Sequence, residues 1–263
     1  MAERALAPGA VVGILGGGQL GRMLATAAAE LGLSCRVYCP DPKSPAFAVA
    51  AARTIAPYED EAALAAFAGT VDVATFEFEN VPVASLRFLA ERVPVRPGAR
   101  SLEVAQDRLA EKTLMTELGI AVPAFAPVDT QTDIYSALGR IGRPAILKTR
   151  RLGYDGKGQA LIRSGDDLVA AWRAVGEAPS ILEAFVAFER EISVVLARTG
   201  DGAVRAWDIS ENRHLNGILA ETTVPAAVAP EVVAEAVAIA ERDRKSTRLN
   251  SSHAELSRMP SSA

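Results

Sequence analysis

The chain has 263 residues, 49% hydrophobic and 23% charged, with a formal net charge of −4 at pH 7. That length supports about two domains with buried cores and needs no disulfide or metal staple. The composition excludes a disordered or fibrous chain, and the mild acidity offers no global basic field to nucleic acid or an anionic membrane.

Over the first hundred residues apolar runs alternate with helical patterns, which predicts βαβ units and a parallel sheet. Strands are expected at residues 11–15, 34–38, 54–56 and 71–76, and helices at 19–31, 61–68 and 83–92. Two prolines and a glycine in residues 94–98 break this rhythm and end a Rossmann-like first domain, 1–98. A helix over 102–118 follows, capped by Ser101 and closed by Gly119. Strands at 144–149, 159–162, 180–186, 191–198 and 204–209 surround a helix at 166–175, with an alanine-rich helix over 231–241. That grouping suggests an α+β module over 99–242. Residues 243–263 change character: they hold six serines, and four basic residues against two acidic. They predict a disordered tail whose composition resembles translated cloning-adapter sequence fused to an interrupted reading frame.

Cys35 and Cys39 lack the further Cys or His partners that a zinc site needs, and read as buried thiols in a reducing compartment. No metal ligands are assigned. No apolar run approaches the roughly 18 residues of a membrane span. The apolar stretch 10–15 runs into glycines rather than a cleavage site, so a cytoplasmic location is expected.

Two glycine-rich turns carry the chemistry. Gly16-Gly17-Gly18-Gln19-Leu20-Gly21 lies between a predicted strand and helix. There, backbone N–H groups and the helix dipole favour an anion. Asp41 follows Gly21 by 20 residues, the spacing of a ribose-binding acid in a dinucleotide fold. On its own this motif suits either an NAD-dependent oxidoreductase or a phosphorylated substrate. Gly153-Tyr154-Asp155-Gly156-Lys157-Gly158 is the second turn, between two strands and without a Walker A sequence. Lys148 precedes it on an apolar strand, where a lone ammonium needs an anionic partner. The order Lys148, glycine loop, Glu183, Glu191 suggests a nucleotide site, with a carboxylate near a ribose and strand backbone reading a base edge. His214 is expected in a polar loop over 211–217 as a ligand contact. Glu77 and Glu79 end a first-domain strand, where carboxylates face the crevice of a parallel sheet.

Several stretches carry a family resemblance: G-I-L-G-G-G-Q-L-G-R-M at 13–23, T-F-E-F-E-N-V-P at 75–82, Q-D-R-L-A-E-K at 106–112, L-K-T-R-R-L-G-Y-D-G-K-G-Q at 147–159, and E-N-R-H-L-N-G-I-L at 211–219. Together they resemble the N5-carboxyaminoimidazole ribonucleotide synthetases, ATP-grasp enzymes of bacterial purine synthesis. The resemblance implies a pre-ATP-grasp sheet followed by an ATP-grasp module, incomplete here. It also implies ATP-dependent carboxylation of 5-aminoimidazole ribonucleotide by bicarbonate through carboxyphosphate, with Mg²⁺ ligands and further substrate contacts beyond this chain. It places catalytic charge on Arg108, Lys148 and Lys157. ATP contacts would fall on Arg108, Lys148, Gly153, Tyr154, Asp155, Gly156, Lys157, Gly158 and Gln159, then on Glu183, Ala184, Phe185, Val186, Glu191 and His214. Gly18, Gln19, Leu20 and Glu77 would face the ribonucleotide, so that the first turn binds substrate phosphate rather than NAD. A homodimer is compatible with the resemblance. The chain as written is expected to bind ATP weakly and not to turn over. The alternatives are the NAD-dependent oxidoreductase, a related formate-dependent transformylase, and a non-catalytic nucleotide-binding fragment.

Overall fold

The computed structural model describes residues 5–153, 157–199, 202–215, 218–247 and 254–257. They form two compact units, the first built on Met1–Glu103 and the second on Val104–Arg198 and Val204–Ser246.

In the first unit the elements run β1 (Val11–Leu15), α1 (Gln19–Glu30), β2 (Ser34–Tyr38), β3 (Ala52–Thr54), α2 (Glu61–Ala68), β4 (Val73–Phe76), α3 (Val83–Ala90) and α4 (Ala99–Ala105). The sheet order is β3-β2-β1-β4, all parallel. Because strand side chains alternate in direction, neighbouring residues feed opposite faces. Ile14, Cys35 and Val37 pack with Ala25 of α1, whereas Leu15, Tyr38 and Ala74 pack with Leu64, Phe67, Leu86 and Leu89 from α2 and α3. This is the expected doubly covered α/β sheet. The third strand lies at 52–54 rather than 54–56. Both cysteines are buried and unpaired, and the Ser44 hydroxyl donates to Cys39 Sγ at 3.0 Å.

The second unit contains α5 (Arg108–Glu117), β5 (Phe125–Val128), α6 (Gln131–Ile141), β6 (Ala145–Thr149), β7 (Gln159–Ile162), α7 (Leu168–Ala174), β8 (Ser180–Ala184), β9 (Glu191–Val194), β10 (Leu196–Arg198), β11 (Val204–Ala206), β12 (Ser210–Leu215), β13 (Ile218–Thr223), α8 (Pro230–Thr247) and β14 (Ala254–Ser257). An antiparallel sheet β5-β8-β6-β7 is covered on one face by α6 and α7, through Ile134, Leu138, Leu168 and Trp172. A second antiparallel sheet, β13-β12-β9-β14, packs Ile192 and Val194 against Ala236 and Ala240 of α8.

Five further expectations are corrected, the last being the disorder expected from residue 243. The helix predicted over 102–118 is two helices, because the Asp107 carboxylate accepts from Leu109 N–H and Ala110 N–H and starts α5 afresh. Residues 191–198 make two strands, not one. The segment 125–141, given no element in the sequence reading, forms β5 and α6. There Asp133 accepts from the N–H groups of Asp129 and Thr130 and from the Thr130 hydroxyl, at 3.0, 2.7 and 2.9 Å. Residues 211–215 are strand rather than polar loop, since β12 pairs with β9 on one side and β13 on the other. In the tail, α8 continues to Thr247 and Ala254–Ser257 pairs with β9; residues 248–253 and 258–263 lie outside the described residues.

Candidate functional site

The first glycine turn is built around a carboxylate. β1 ends at Leu15 and α1 begins at Gln19, leaving three glycines to reverse the chain. Gly16 sits at φ +105, and a Cβ there would lie 2.7 Å from Glu77 Oε1. A Cβ at Gly17 would lie 2.5 Å from the Ser44 Cβ. Glu77 follows β4 directly, its N–H donating to Leu15 O at 3.0 Å. Its carboxylate accepts from Gly18 N–H at 2.7 Å. A helix N-terminus favours negative charge, and here the protein's own carboxylate supplies it. Gln19 and Leu20 stand exposed beside it. Asp41, placed by spacing at a ribose position, accepts from Lys43 N–H within its own turn at 2.9 Å.

The second turn is held by cations. β6 and β7 pair with Lys148 opposite Gln159, and Thr149 N–H donates to Gly158 O at 2.8 Å. Arg108, first residue of α5, reaches into the turn: Nη1 donates to Thr149 O at 3.0 Å and Nη2 to Gly153 O at 2.9 Å. Its backbone N–H donates to Arg150 O at 3.0 Å. Gly158 takes φ +67, and a Cβ there would meet Thr149 Oγ1 at 2.7 Å. Leu152 is held at φ 62 with its side chain exposed, a conformation costing on the order of 1 kcal/mol for a non-glycine residue. Lys157 and Gln159 are exposed; Tyr154, Asp155 and Gly156 lie outside the described residues.

Beneath this turn lies a charge cluster. Ala145 and Leu147 enter the core under α6 and α7, so strand alternation sends Lys148 to the opposite sheet face. Leu182 likewise enters the core and sends Glu183 to that same open face. Lys148 Nζ lies 3.1 Å from Glu183 Oε2. Lys112 of α5 approaches the same oxygen at 3.4 Å. The Glu183 side chain is only 6% exposed, and Oε1 is buried without a hydrogen-bond partner. Thr149 Oγ1 is orphaned in the same way. A buried carboxylate requires cationic partners, and an unpartnered buried acceptor marks a place where a ligand donor fits. Sequence reasoning missed Lys112 as a site residue. The signal was its spacing, four residues after Arg108 and therefore on the same helix face.

After β8 the backbone turns back on the unit: Ala184 N–H donates to Ala124 O at 2.8 Å and Phe185 N–H to Pro144 O at 3.1 Å. The Phe185 ring is left exposed. Glu191 and His214 meet across the other sheet, with His214 Nδ1 3.0 Å from Glu191 Oε2. The structure thus joins Arg108, Lys148, Gly153 and Glu183 in one cluster and Glu191 with His214 in another.

Among the described residues no group of three or more His, Cys, Asp or Glu side chains could hold a metal ion. Glu211 is engaged by Arg190 at 3.0 Å and Glu221 by Arg213 at 2.9 Å. Among the described residues the side chains do not fit an Mg²⁺ site. Among the described residues no helix is long and apolar enough to cross a membrane.

Comparison with known proteins agrees with this architecture. The sequence matches the ribonucleotide synthetase pre-ATP-grasp domain over residues 10–106 and the ATP-grasp domain over residues 113–247. It is 47% identical to the N5-carboxyaminoimidazole ribonucleotide synthase of Brucella melitensis, across 92% of this chain and 67% of that protein. The fold is similar to a crystal structure of the ADP complex of an N5-carboxyaminoimidazole ribonucleotide synthetase (TM-score 0.90, 37% identity, covering 94% of this chain and 65% of that one). It is also similar to the Aspergillus clavatus synthase in complex with ADP and 5-aminoimidazole ribonucleotide (TM-score 0.82, 26% identity, covering 90% and 63%). The chain therefore spans about two thirds of the length of these relatives. The parallel sheet with its carboxylate-filled glycine turn, the antiparallel module with its cation-held turn, and this level of identity together place the chain in the N5-carboxyaminoimidazole ribonucleotide synthetase family.

Proposed function

We propose that the second unit grips ATP and that the first receives 5-aminoimidazole ribonucleotide, as parts of a cytoplasmic ATP-dependent carbon–nitrogen ligase of purine biosynthesis. In that reaction the γ-phosphoryl group of ATP passes to bicarbonate. The resulting carboxyphosphate gives its carbon to the 5-amino group of the ribonucleotide, releasing phosphate. The observation that carries the nucleotide reading is the convergence of Lys148 and Glu183 beneath a glycine turn fixed by Arg108. Phosphoryl transfer depends on positioning and charge neutralisation more than on a covalent nucleophile. Lys148, Arg108 and Lys157 provide positive charge for phosphate oxygens. A turn lying over the phosphates would keep water from the acyl phosphate. Gly153 and Gly158 let backbone approach them, and Glu183, Ala184, Phe185 and Val186 line the base end. Glu191, beside His214, offers an acceptor to ribose hydroxyls.

In the first unit the Gly18 N–H already serves Glu77. The turn therefore presents an acceptor to the ribonucleotide, suited to its hydroxyl or amino groups, in place of the phosphate seat that the resemblance implied. This favours substrate over a dinucleotide pyrophosphate at Gly18, Gln19 and Leu20.

We propose further that this chain binds ATP weakly and does not turn over, since among the described residues no group of carboxylates is arranged to hold the metal ion that ATP-grasp chemistry uses. Titration of the chain with ATP by saturation-transfer NMR tests the grip, with saturable binding expected. ADP release dependent on both bicarbonate and aminoimidazole ribonucleotide would contradict the absence of turnover.

A further inference from the structure

We propose that Lys112 is a positioning residue that sets base selectivity, by holding the Glu183 carboxylate oriented so that it accepts from a 6-amino purine and rejects a 6-oxo purine. This deepens the nucleotide reading above and rests on it.

Two ammonium groups meet on one carboxylate oxygen: Lys148 at 3.1 Å and Lys112 at 3.4 Å, both on Glu183 Oε2. The arrangement leaves Oε1 buried and without a donor. One of the two cations is redundant while no nucleotide is bound. Lys148, at the mouth of the glycine turn and 26% exposed in its side chain, is the one that can turn to a phosphate. Lys112, 18% exposed, is fixed from below by α5. That helix is itself anchored, with Asp107 capping its first turn and Arg108 N–H bonded to Arg150 O. When Lys148 engages phosphate, Lys112 remains as the cation on Glu183. Without it, the carboxylate would be a buried, uncompensated charge, an arrangement proteins avoid by rearrangement. An ionised Oε1 can only accept, so it matches an exocyclic amino group and repels a carbonyl oxygen. A displaced carboxylate loses that distinction. Discrimination of this kind, from a buried polar group left unpaired by the wrong ligand, is large.

The test compares the dissociation constants of ATP and ITP, by saturation-transfer NMR titration, for the wild-type chain and for Lys112→Met, Lys112→Gln and Lys112→Arg. Thermal unfolding of each variant is followed in parallel. The expected result is that wild type prefers ATP, that Lys112→Met and Lys112→Gln narrow the ATP/ITP ratio by about tenfold or more, and that Lys112→Arg restores it. A merely structural lysine would weaken both nucleotides equally, and an unchanged ratio in either folded neutral variant overturns the proposal. The two neutral variants differ in polarity, so failure of one to fold leaves the other decisive. Equal binding of ATP and ITP by wild type overturns it without any variant. If wild type binds neither nucleotide, the nucleotide reading fails and this one fails with it, an outcome distinguishable because it precedes every substitution.

Discussion

Two glycine-rich turns, one with four glycines and one with three, follow strands of two different sheets and have opposite electrostatics. In the first, a carboxylate from the neighbouring strand occupies the helix N-terminus, with Glu77 Oε1 2.7 Å from Gly18 N. In the second, a guanidinium from a helix holds two carbonyls of the turn, and two ammonium groups share the nearest buried carboxylate. Glycine supplies backbone freedom in both cases; the ligand is selected by the charge that the flanking elements bring. A turn already filled by its own anion invites hydrogen-bond donors, and a turn surrounded by cations invites phosphates.

The sharpest way to break this contrast is to remove the cation that holds the second turn. Arg108→Ala should lower ATP affinity by about 10- to 100-fold, the worth of its charged hydrogen bonds, while leaving the first unit's unfolding transition in place. Titration and calorimetry on the same sample would read both. Next come the glycines. Gly17→Ala drives a methyl to 2.5 Å from the Ser44 side chain and should cost the first unit about 1–3 kcal/mol. Gly158→Ala, at φ +67 and against the Thr149 hydroxyl, should cost the second unit a similar amount, roughly 1–3 kcal/mol, but, unlike Gly17→Ala, should also weaken nucleotide binding. A uniform effect of the two substitutions on binding would erase the distinction between the turns.

The units should also part company with pH. Tyr38 is stacked on Tyr58 and edge-on to Phe67, and donates to Pro57 O at 2.6 Å. Burial, with Asp60 and Glu59 nearby, pushes its phenol up to about 12, and burial pushes Tyr58 up as well. A raised acid keeps its proton in the folded state, so stability is full below the ordinary tyrosine value near 10 and falls as pH rises through 12. The first unit should lose roughly 1–2 kcal/mol over that window, measurable by urea unfolding at pH 9 and 12. Tyr38→Phe should flatten the slope. The smallest effect belongs to the second unit. Asp133 is held below its ordinary range by backbone and hydroxyl donation from Thr130 and by Asp129 N–H. Its contribution is present above pH 4 and disappears as pH falls through its lowered value. Asp133→Asn should therefore reduce stability slightly at pH 7 and not at all at pH 2.

The first sheet was legible from sequence because β1 is a continuous apolar run and the helices end at Gly32 and Gly69, whereas the short, polar β3 was placed two residues late. The second unit was less so. Its strands are short and its antiparallel partners distant, so that β5 pairs with β8 across more than fifty residues of chain, and no local period announces that pairing. At the site, Lys148 and Glu183 were singled out from residue type and order, and Arg108 only through the family resemblance. Lys112 was not, because a lysine on a helix reads as solvated until the strand it faces is known. Glu77 was identified as a crevice carboxylate, yet its seat on the Gly18 amide follows from where β4 ends and could not be inferred from spacing. His214 was singled out and expected in a loop, but it lies on a strand, since E-N-R-H-L hides strand alternation under polar side chains.

The central claim, that the second turn and not the first is the nucleotide grip, is tested most directly by titrating the chain in parallel with ATP and with NADH. The account predicts saturable ATP binding that Arg108→Ala weakens, and no binding of NADH. NADH binding that survives Arg108→Ala, with no response to ATP, would contradict it and return the dinucleotide reading to the first glycine turn.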